Sequence, residues 1–145
     1  MTRDEFKRLR DLPGKVIRGD ITFTAPKDTK PNLVFDQVQV ENDLKLDVVL
    51  NGTYKKGIPS CTFNFVLRGT GPICRYELNS ARHGNAGRTH KHDMKNEEEP
   101  RLNLPSCSPR KDLEQLGVRE LWETVCREAN IAHEGQILVP EGEEP

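Results

Sequence analysis

Hydrophobic and polar residues alternate along most of the chain between residues 20 and 80, which is the pattern of half-buried β strands. The alternation is clearest where Cys61, Phe63, Phe65 and Leu67 alternate with mostly polar neighbours. Polar or glycine-rich turns separate the segments. The predicted strands are 20–25, 33–40, 44–50, 61–67 and 73–79. This pattern predicts an antiparallel meander of about five strands, with one face of the sheet in the core.

The two ends of the chain show helical spacing instead. Phe6 and Leu9 lie near one face of a short N-terminal helix. Ser108-Pro109 has the composition of a helix start, and apolar residues at helical spacing follow it, so a helix over 108–130 is expected. Trp122 lies in this apolar stripe and is interpreted as a core anchor. The predicted fold class is α+β, with the longer C-terminal helix packed on the sheet.

Composition indicates one small domain. The chain has 145 residues, of which 34% are hydrophobic and 31% are charged. We expect a single α+β domain over 1–140 and a disordered acidic tail over 141–145. No internal repeat is evident. No apolar run has the length of a signal peptide core or a membrane span, and the four cysteines form no C-x-x-C pair. A cytoplasmic protein with reduced thiols and no membrane partner is expected.

A polar stretch at 82–93 stands apart from these patterns. It contains three of the four histidines, and it has no apolar period that would place it in the core. If His90-Lys91-His92 is extended, His90 and His92 share one face of the strand and Lys91 lies on the other. Two such imidazoles could accept and donate protons in phosphodiester cleavage, or could bind one metal ion.

The neighbours of the histidine pair favour acid–base chemistry. Arg82 and Arg88 bracket the stretch, and a guanidinium suits phosphate oxygens. We therefore expect His90 and His92 to be catalytic, and the phosphate-binding residues to be Arg82, Arg88 and Lys91. The same cations disfavour a bound metal ion, so no metal and no cofactor is predicted.

Other candidates are weaker. His83 and Tyr76 are possible additional site residues, although the alternation places Tyr76 on the core face. A metal site, if present, would use His90, His92 and His83; Asp93 and Cys107 are further candidates for the third ligand. His133 follows the predicted helix and is expected to interact with its C-terminal dipole.

The order of elements resembles a group of small bacterial proteins of prophages, integrative elements and toxin–antitoxin loci, including TumE-type toxins. In these a His-x-His stretch follows a sheet strand, as His90-Lys91-His92 does here. Thr89 stands where those proteins usually have proline. The resemblance implies a mobile-element or defence context and a toxin directed at RNA.

Two functions follow as hypotheses. The first is a toxin-like, metal-independent ribonuclease that uses His90 and His92 and takes RNA as its partner. The second is a non-catalytic regulator that binds a cognate phage or host protein. A structural metal-binding module is a third option.

Overall fold

The computed structural model describes residues 3–24, 32–55, 60–78, 90–93, 106–114 and 116–138, and for 90–93 and 106–109 it describes the backbone. The elements, in chain order, are α1 (Arg3–Asp11), β1 (Lys15–Arg18), β2 (Ile21–Thr22), β3 (Asn32–Val40), β4 (Val48–Lys55), β5 (Ser60–Leu67), β6 (Gly71–Leu78), β7 (His90–Asp93), β8 (Ser106–Pro109), a 3₁₀ turn (Lys111–Leu113), α2 (Val118–Glu128), β9 (Ile131–Glu134) and β10 (Ile137–Leu138).

The main sheet has six described strands in the order β3-β4-β5-β6-β7-β8, and every neighbouring pair is antiparallel. Its first four strands form an antiparallel meander, one strand fewer than predicted, because the segment expected as the first strand (20–25) contains β2, which pairs with β10 in a separate sheet. The α+β class, the short N-terminal helix and this meander are therefore confirmed. Strands β7 and β8 extend the sheet beyond the meander. The last four residues of the histidine stretch form β7, which lies between β6 and β8.

The predicted start of the C-terminal helix at Ser108-Pro109 is wrong, because Ser106–Pro109 forms β8 and pairs with β7. Helix α2 starts at Val118, and Gly117 before it is extended, with φ −79° and ψ 175°. An extended residue at this position ends the helical path on its N-terminal side. The C-terminal helix is consequently shorter than the apolar spacing indicated.

The boundary of the second meander strand also differs from the prediction. Strand β4 starts at Val48, and Leu44 in the preceding turn is 50% exposed. The side chain of Asn42 organises this turn, since its Oδ1 accepts the Leu46 N–H at 3.0 Å and its Nδ2 donates to the Leu46 carbonyl at 2.9 Å. An Asn side chain that replaces backbone partners in this way favours a turn over a strand.

The core lies on one face of the sheet, where aromatic rings dominate the packing. Phe63 of β5 contacts Trp122 of α2, with ring centroids 5.0 Å apart, so the tryptophan is a core anchor as predicted. Tyr76 of β6 donates its hydroxyl to Glu128 of α2 at 2.8 Å. These two contacts attach the helix to the centre of the meander. Burying a side chain of this size contributes about 2 kcal/mol.

Two short parallel pairs, which the sequence did not predict, join the two ends of the chain. Strand β1 pairs with β9, and β2 pairs with β10. Between them, Gly19 N–H donates to the Glu134 carbonyl at 3.1 Å and Ile21 N–H donates to the Gln136 carbonyl at 2.8 Å. Val16 of β1 also exchanges hydrogen bonds with Glu41, at 2.9 and 2.8 Å, but the parallel partners of β1 and β2 lie more than a hundred positions later in the chain.

Lys15, at the start of β1, is buried, and its side chain donates hydrogen bonds to backbone carbonyls at the end of α1. Its Nζ donates to the carbonyl oxygens of Leu9 and Arg10 at 2.8 and 2.7 Å. These carbonyls belong to the last turn of the helix, where backbone acceptors lack intrahelical partners. No helix among the described residues is long and apolar enough to cross a membrane. The predicted tail at 141–145 lies outside the described residues.

Candidate functional site

The sheet has a second face, opposite the core, on which two charged side chains of β6 are well covered. Along β6 the core-facing residues include Cys74 and Tyr76, and the alternate residues Arg75 and Glu77 lie on the second face. Their side chains are only 18% and 13% exposed, and Arg75 Nε lies 3.4 Å from Glu77 Oε1. Charged residues on the outer face of a sheet are usually solvated, so this ion pair marks a distinct environment.

The register of β7 connects the histidine stretch to this ion pair. His90 is the backbone partner of Glu77, Lys91 of Tyr76, and His92 of Arg75. Directly paired residues of neighbouring strands share a face of the sheet. Positions 90 and 92 therefore belong to the second face. Position 90 lies directly across from Glu77, and position 92 lies directly across from Arg75.

This arrangement bears on each predicted site residue. The stretch His90–Asp93 is an extended strand, which is the condition under which the histidine pair was expected to share a face. The register position of Lys91 belongs to the core face. The other predicted members of the site, Arg82, His83 and Arg88, lie outside the described residues.

Tyr76 belongs to the core face and is separated by the sheet from positions 90 and 92. Burial is the main cause that raises the pKa of its phenol well above the ordinary value, and its hydrogen bond to Glu128 adds to this. Arg110 also binds Glu128, at 2.7 Å through NH2, and donates to Asp112 at 2.8 Å. The Tyr76 hydroxyl is thus part of a network that attaches α2 to the sheet.

Sequence reasoning missed part of the second face. Asn64 of β5 pairs with Arg75 on one side and with Asn51 of β4 on the other. The Asn64 Oδ1 atom is buried and has no hydrogen-bond partner, whereas Asn51 Oδ1 accepts the Gln37 N–H at 2.9 Å. An unsatisfied buried acceptor is rare in native proteins. The strand parity of Asn64, Arg75 and Glu77 was readable from the sequence, but their pairing with β7 was not.

The register also bears on the metal alternative. Cys107 of β8 is the backbone partner of His92, which places one of the proposed third ligands on the row of the histidine pair. Arg75 occupies the same row, and a fixed positive charge disfavours a cation nearby. Among the residues that the structure describes, no group of three or more His, Cys, Asp or Glu is placed to hold a metal ion.

A cleft of about 360 Å³ lies between α2 and the β9–β10 segment, away from the second face. Trp122 and His133 are among its lining residues. The Trp122 Nε1–H donates to His133 Nδ1 at 2.9 Å, and His133 Nε2 lies 2.8 Å from the Gly19 carbonyl oxygen. In this pair of contacts, Nδ1 accepts a hydrogen bond from the tryptophan and Nε2 lies within hydrogen-bond distance of the backbone carbonyl. Both ring nitrogens are therefore engaged in structural contacts, and these differ from the helix-dipole contact expected from the sequence.

Comparisons of the chain with protein-family models, with curated proteins and with solved structures gave no match.

Proposed function

We propose that this protein cleaves RNA phosphodiester bonds without a metal ion, at the second face of the sheet, with His90 and His92 as the acid–base pair. The observation that carries the proposal is the register of β7, which places both histidine positions in the rows of Glu77 and Arg75. Acid–base chemistry needs two proton-transfer groups close to a phosphate-binding group, and this face brings positions for both together.

The proposed reaction uses the ribose 2′-hydroxyl as its nucleophile. One imidazole accepts the proton of the 2′-hydroxyl as O2′ attacks phosphorus. The other, as imidazolium, donates a proton to the departing 5′ oxygen as the P–O5′ bond breaks. The products are a 2′,3′-cyclic phosphate and a 5′-hydroxyl, and no oxidant, reductant or metal is consumed. In the cell, such an activity fits a toxin or a defence protein of a mobile element.

The test is cleavage of a mixed-sequence single-stranded RNA by purified protein, with and without EDTA. A DNA strand of the same sequence is the substrate control, since it lacks the 2′-hydroxyl. We expect cleavage that resists EDTA, spares DNA, leaves a cyclic phosphate detectable by mass spectrometry, and is lost in the His90→Ala/His92→Ala variant at an unchanged thermal midpoint. General acid–base groups contribute about 10²- to 10⁴-fold each, so each single variant should also be strongly impaired.

Two outcomes would contradict this proposal. Cleavage abolished by EDTA would indicate metal chemistry. No cleavage of any RNA would favour the alternative function, a regulator that binds a cognate protein. The observation in favour of that alternative is a groove of about 430 Å³ beside α1, lined in part by the exposed Leu44 and by Leu46 and Leu67. An apolar segment of the partner would fill it, in a complex that survives loss of both histidines.

A further inference from the structure

The Arg75–Glu77 ion pair is a well-covered charged feature of the second face. Both side chains are more than four-fifths covered, and the two residues are separated by one position on the same strand. Even a solvent-exposed ion pair contributes little to stability. Covering it adds a desolvation cost that its Coulomb attraction does not clearly offset. Stability alone is therefore a poor explanation for placing the pair here.

The surroundings of Arg75 suit an anion. Its backbone partners are Asn64 on β5 and His92 on β7, so uncharged or histidine positions flank it across the sheet. Glu77, the acidic neighbour, contacts the guanidinium from its own strand. A carboxylate in this position restricts the rotamers open to the arginine by ion pairing. A guanidinium held in this way loses little side-chain entropy when it binds a phosphate.

We infer that Arg75, positioned by Glu77, binds the phosphate of RNA that lies next to the histidine pair. The inference rests on the proposed function, because RNA is the substrate of that reaction. It adds a phosphate-binding residue from the rigid meander to the candidates of the 82–92 stretch. Of the arginines that the structure describes, Arg75 is the one whose backbone partner on the neighbouring strand is a site histidine, His92.

The experiment measures binding separately from cleavage. The probe is a fluorescent single-stranded RNA with 2′-O-methyl groups, which cannot be cleaved through O2′, and the readout is fluorescence anisotropy. The variants are Arg75→Gln and Arg75→Lys. The matched control is Arg68→Gln, which removes a cation close to the same β5–β6 hairpin; Arg68 is 45% exposed and lies 3.6 Å from Asp47.

We expect Arg75→Gln to weaken binding by about 10- to 100-fold, because a hydrogen bond to a charged group contributes about 1.5–3 kcal/mol. The slope of log affinity against log salt should fall by about 0.7, the value for one phosphate contact on a single strand. Arg75→Lys keeps the charge but loses the planar fork, so its affinity should lie between those of the wild type and Arg75→Gln. Arg68→Gln should change the affinity less than about twofold.

The outcomes separate the two proposals. If the wild type cleaves RNA but Arg75→Gln, folded by circular dichroism, binds and cleaves like the wild type, the role of Arg75 is refuted and the ribonuclease function stands. If the wild type binds the probe through Arg75 but cleaves nothing, the ribonuclease function is refuted and the RNA-binding role stands. Absence of both binding and cleavage refutes both. If Arg75→Gln does not fold, Arg75→Lys decides: wild-type affinity and salt slope in that variant would refute the specific role of the guanidinium.

Discussion

Lys15 shows how a single residue can serve the fold at a cost. The residue is 5% exposed, and its ammonium group donates hydrogen bonds to two carbonyl oxygens at the end of α1. Burial lowers the pKa of Lys15 from 10.5 to about 8, and this effect outweighs the opposing influence of Cys74 and Asp11. The two hydrogen bonds survive deprotonation, since a neutral amine keeps two N–H donors.

This residue predicts a pH dependence of stability. Because folding lowers the pKa of Lys15 from 10.5 to about 8, the unfolded chain binds more protons than the folded protein between those values. The cost of burying the charge is full below pH 8 and disappears above 10.5, so the contribution of Lys15 to stability should rise with pH in this window.

The measurement compares the thermal midpoints of the wild type and Lys15→Met at pH 7, 8.5 and 10. Taking the difference between the two proteins removes the contributions of other titrating groups, such as Cys126, whose pKa burial raises to about 12. The thermal midpoint of the wild type should rise relative to that of Lys15→Met as the pH rises. A difference that stays constant or shrinks would contradict the assigned role of Lys15.

At the scale of elements, the junctions between β1 and β2 and between β9 and β10 lie against each other. Each junction contains a glycine, Gly19 and Gly135, and the two backbones approach closely there. A Cβ added to Gly135 would lie 2.2 Å from the Gly19 carbonyl oxygen, and Gly19 itself has φ +84°. Both glycines are required by geometry: Gly135 by the close approach, and Gly19 by its left-handed conformation.

We expect Gly135→Ala to destabilise the protein by about 1–3 kcal/mol, the usual cost of inserting a methyl group into a packed site. The contact is with backbone, which cannot move aside as a flexible side chain would. The matched control is Gln136→Ala, which changes an exposed side chain of the same junction. Urea denaturation measures both. Equal stability of the two variants would show that the junction can open without cost.

The elements that the sequence predicted are those long enough to show a period. Strands β5 and β6 have eight residues each, so the alternation assigned their core faces correctly. Strands β1, β9 and β10 have two to four residues, too few for any period, and the strand predicted at 20–25 is shortened to β2 and lies outside the meander. Their matching order, Gly-Asp-Ile at 19–21 and Gly-Gln-Ile at 135–137, is visible only once the parallel pairing is known.

The same limit applied to the candidate site. His90 and His92 could be chosen from their spacing, and the condition that they be extended is met. From the sequence, Arg75 could be interpreted as a surface charge or, with Arg68, as part of a phosphate patch, and Glu77 gave no signal of its own. Their connection to the histidine pair depends on which residues of β6 and β7 are partners, and no local pattern encodes that register.

At the scale of the whole molecule, strands near the N-terminus pair with strands near the C-terminus. Ile17 and Ile21 of the N-terminal strands are 0% and 1% exposed, and β9 and β10 are their parallel partners. Removing those partners would expose both isoleucines and leave the N–H groups of Gly19 and Ile21 without their acceptors.

We therefore expect a chain that ends at Asn130 to unfold at a much lower temperature than one that ends at Leu138. Each isoleucine side chain that loses its cover costs about 1.5–3 kcal/mol, and an unsatisfied buried N–H costs a further 1–3 kcal/mol. Differential scanning calorimetry of the two chains makes the comparison. Coincident transitions would show that the meander is stable without its closing strands.

The pairing of β1 with β9 also has a consequence for synthesis on the ribosome. The first strand leaves the exit tunnel long before its partner has been translated, whereas each strand of the β3–β6 meander has a neighbour within a few residues of the chain. The meander can therefore pair during translation. The bridge from Val16 of β1 to Glu41 can also form early, but the parallel pairs of β1 and β2 must wait for β9 and β10. Until then the nascent protein exposes an unpaired, partly apolar edge.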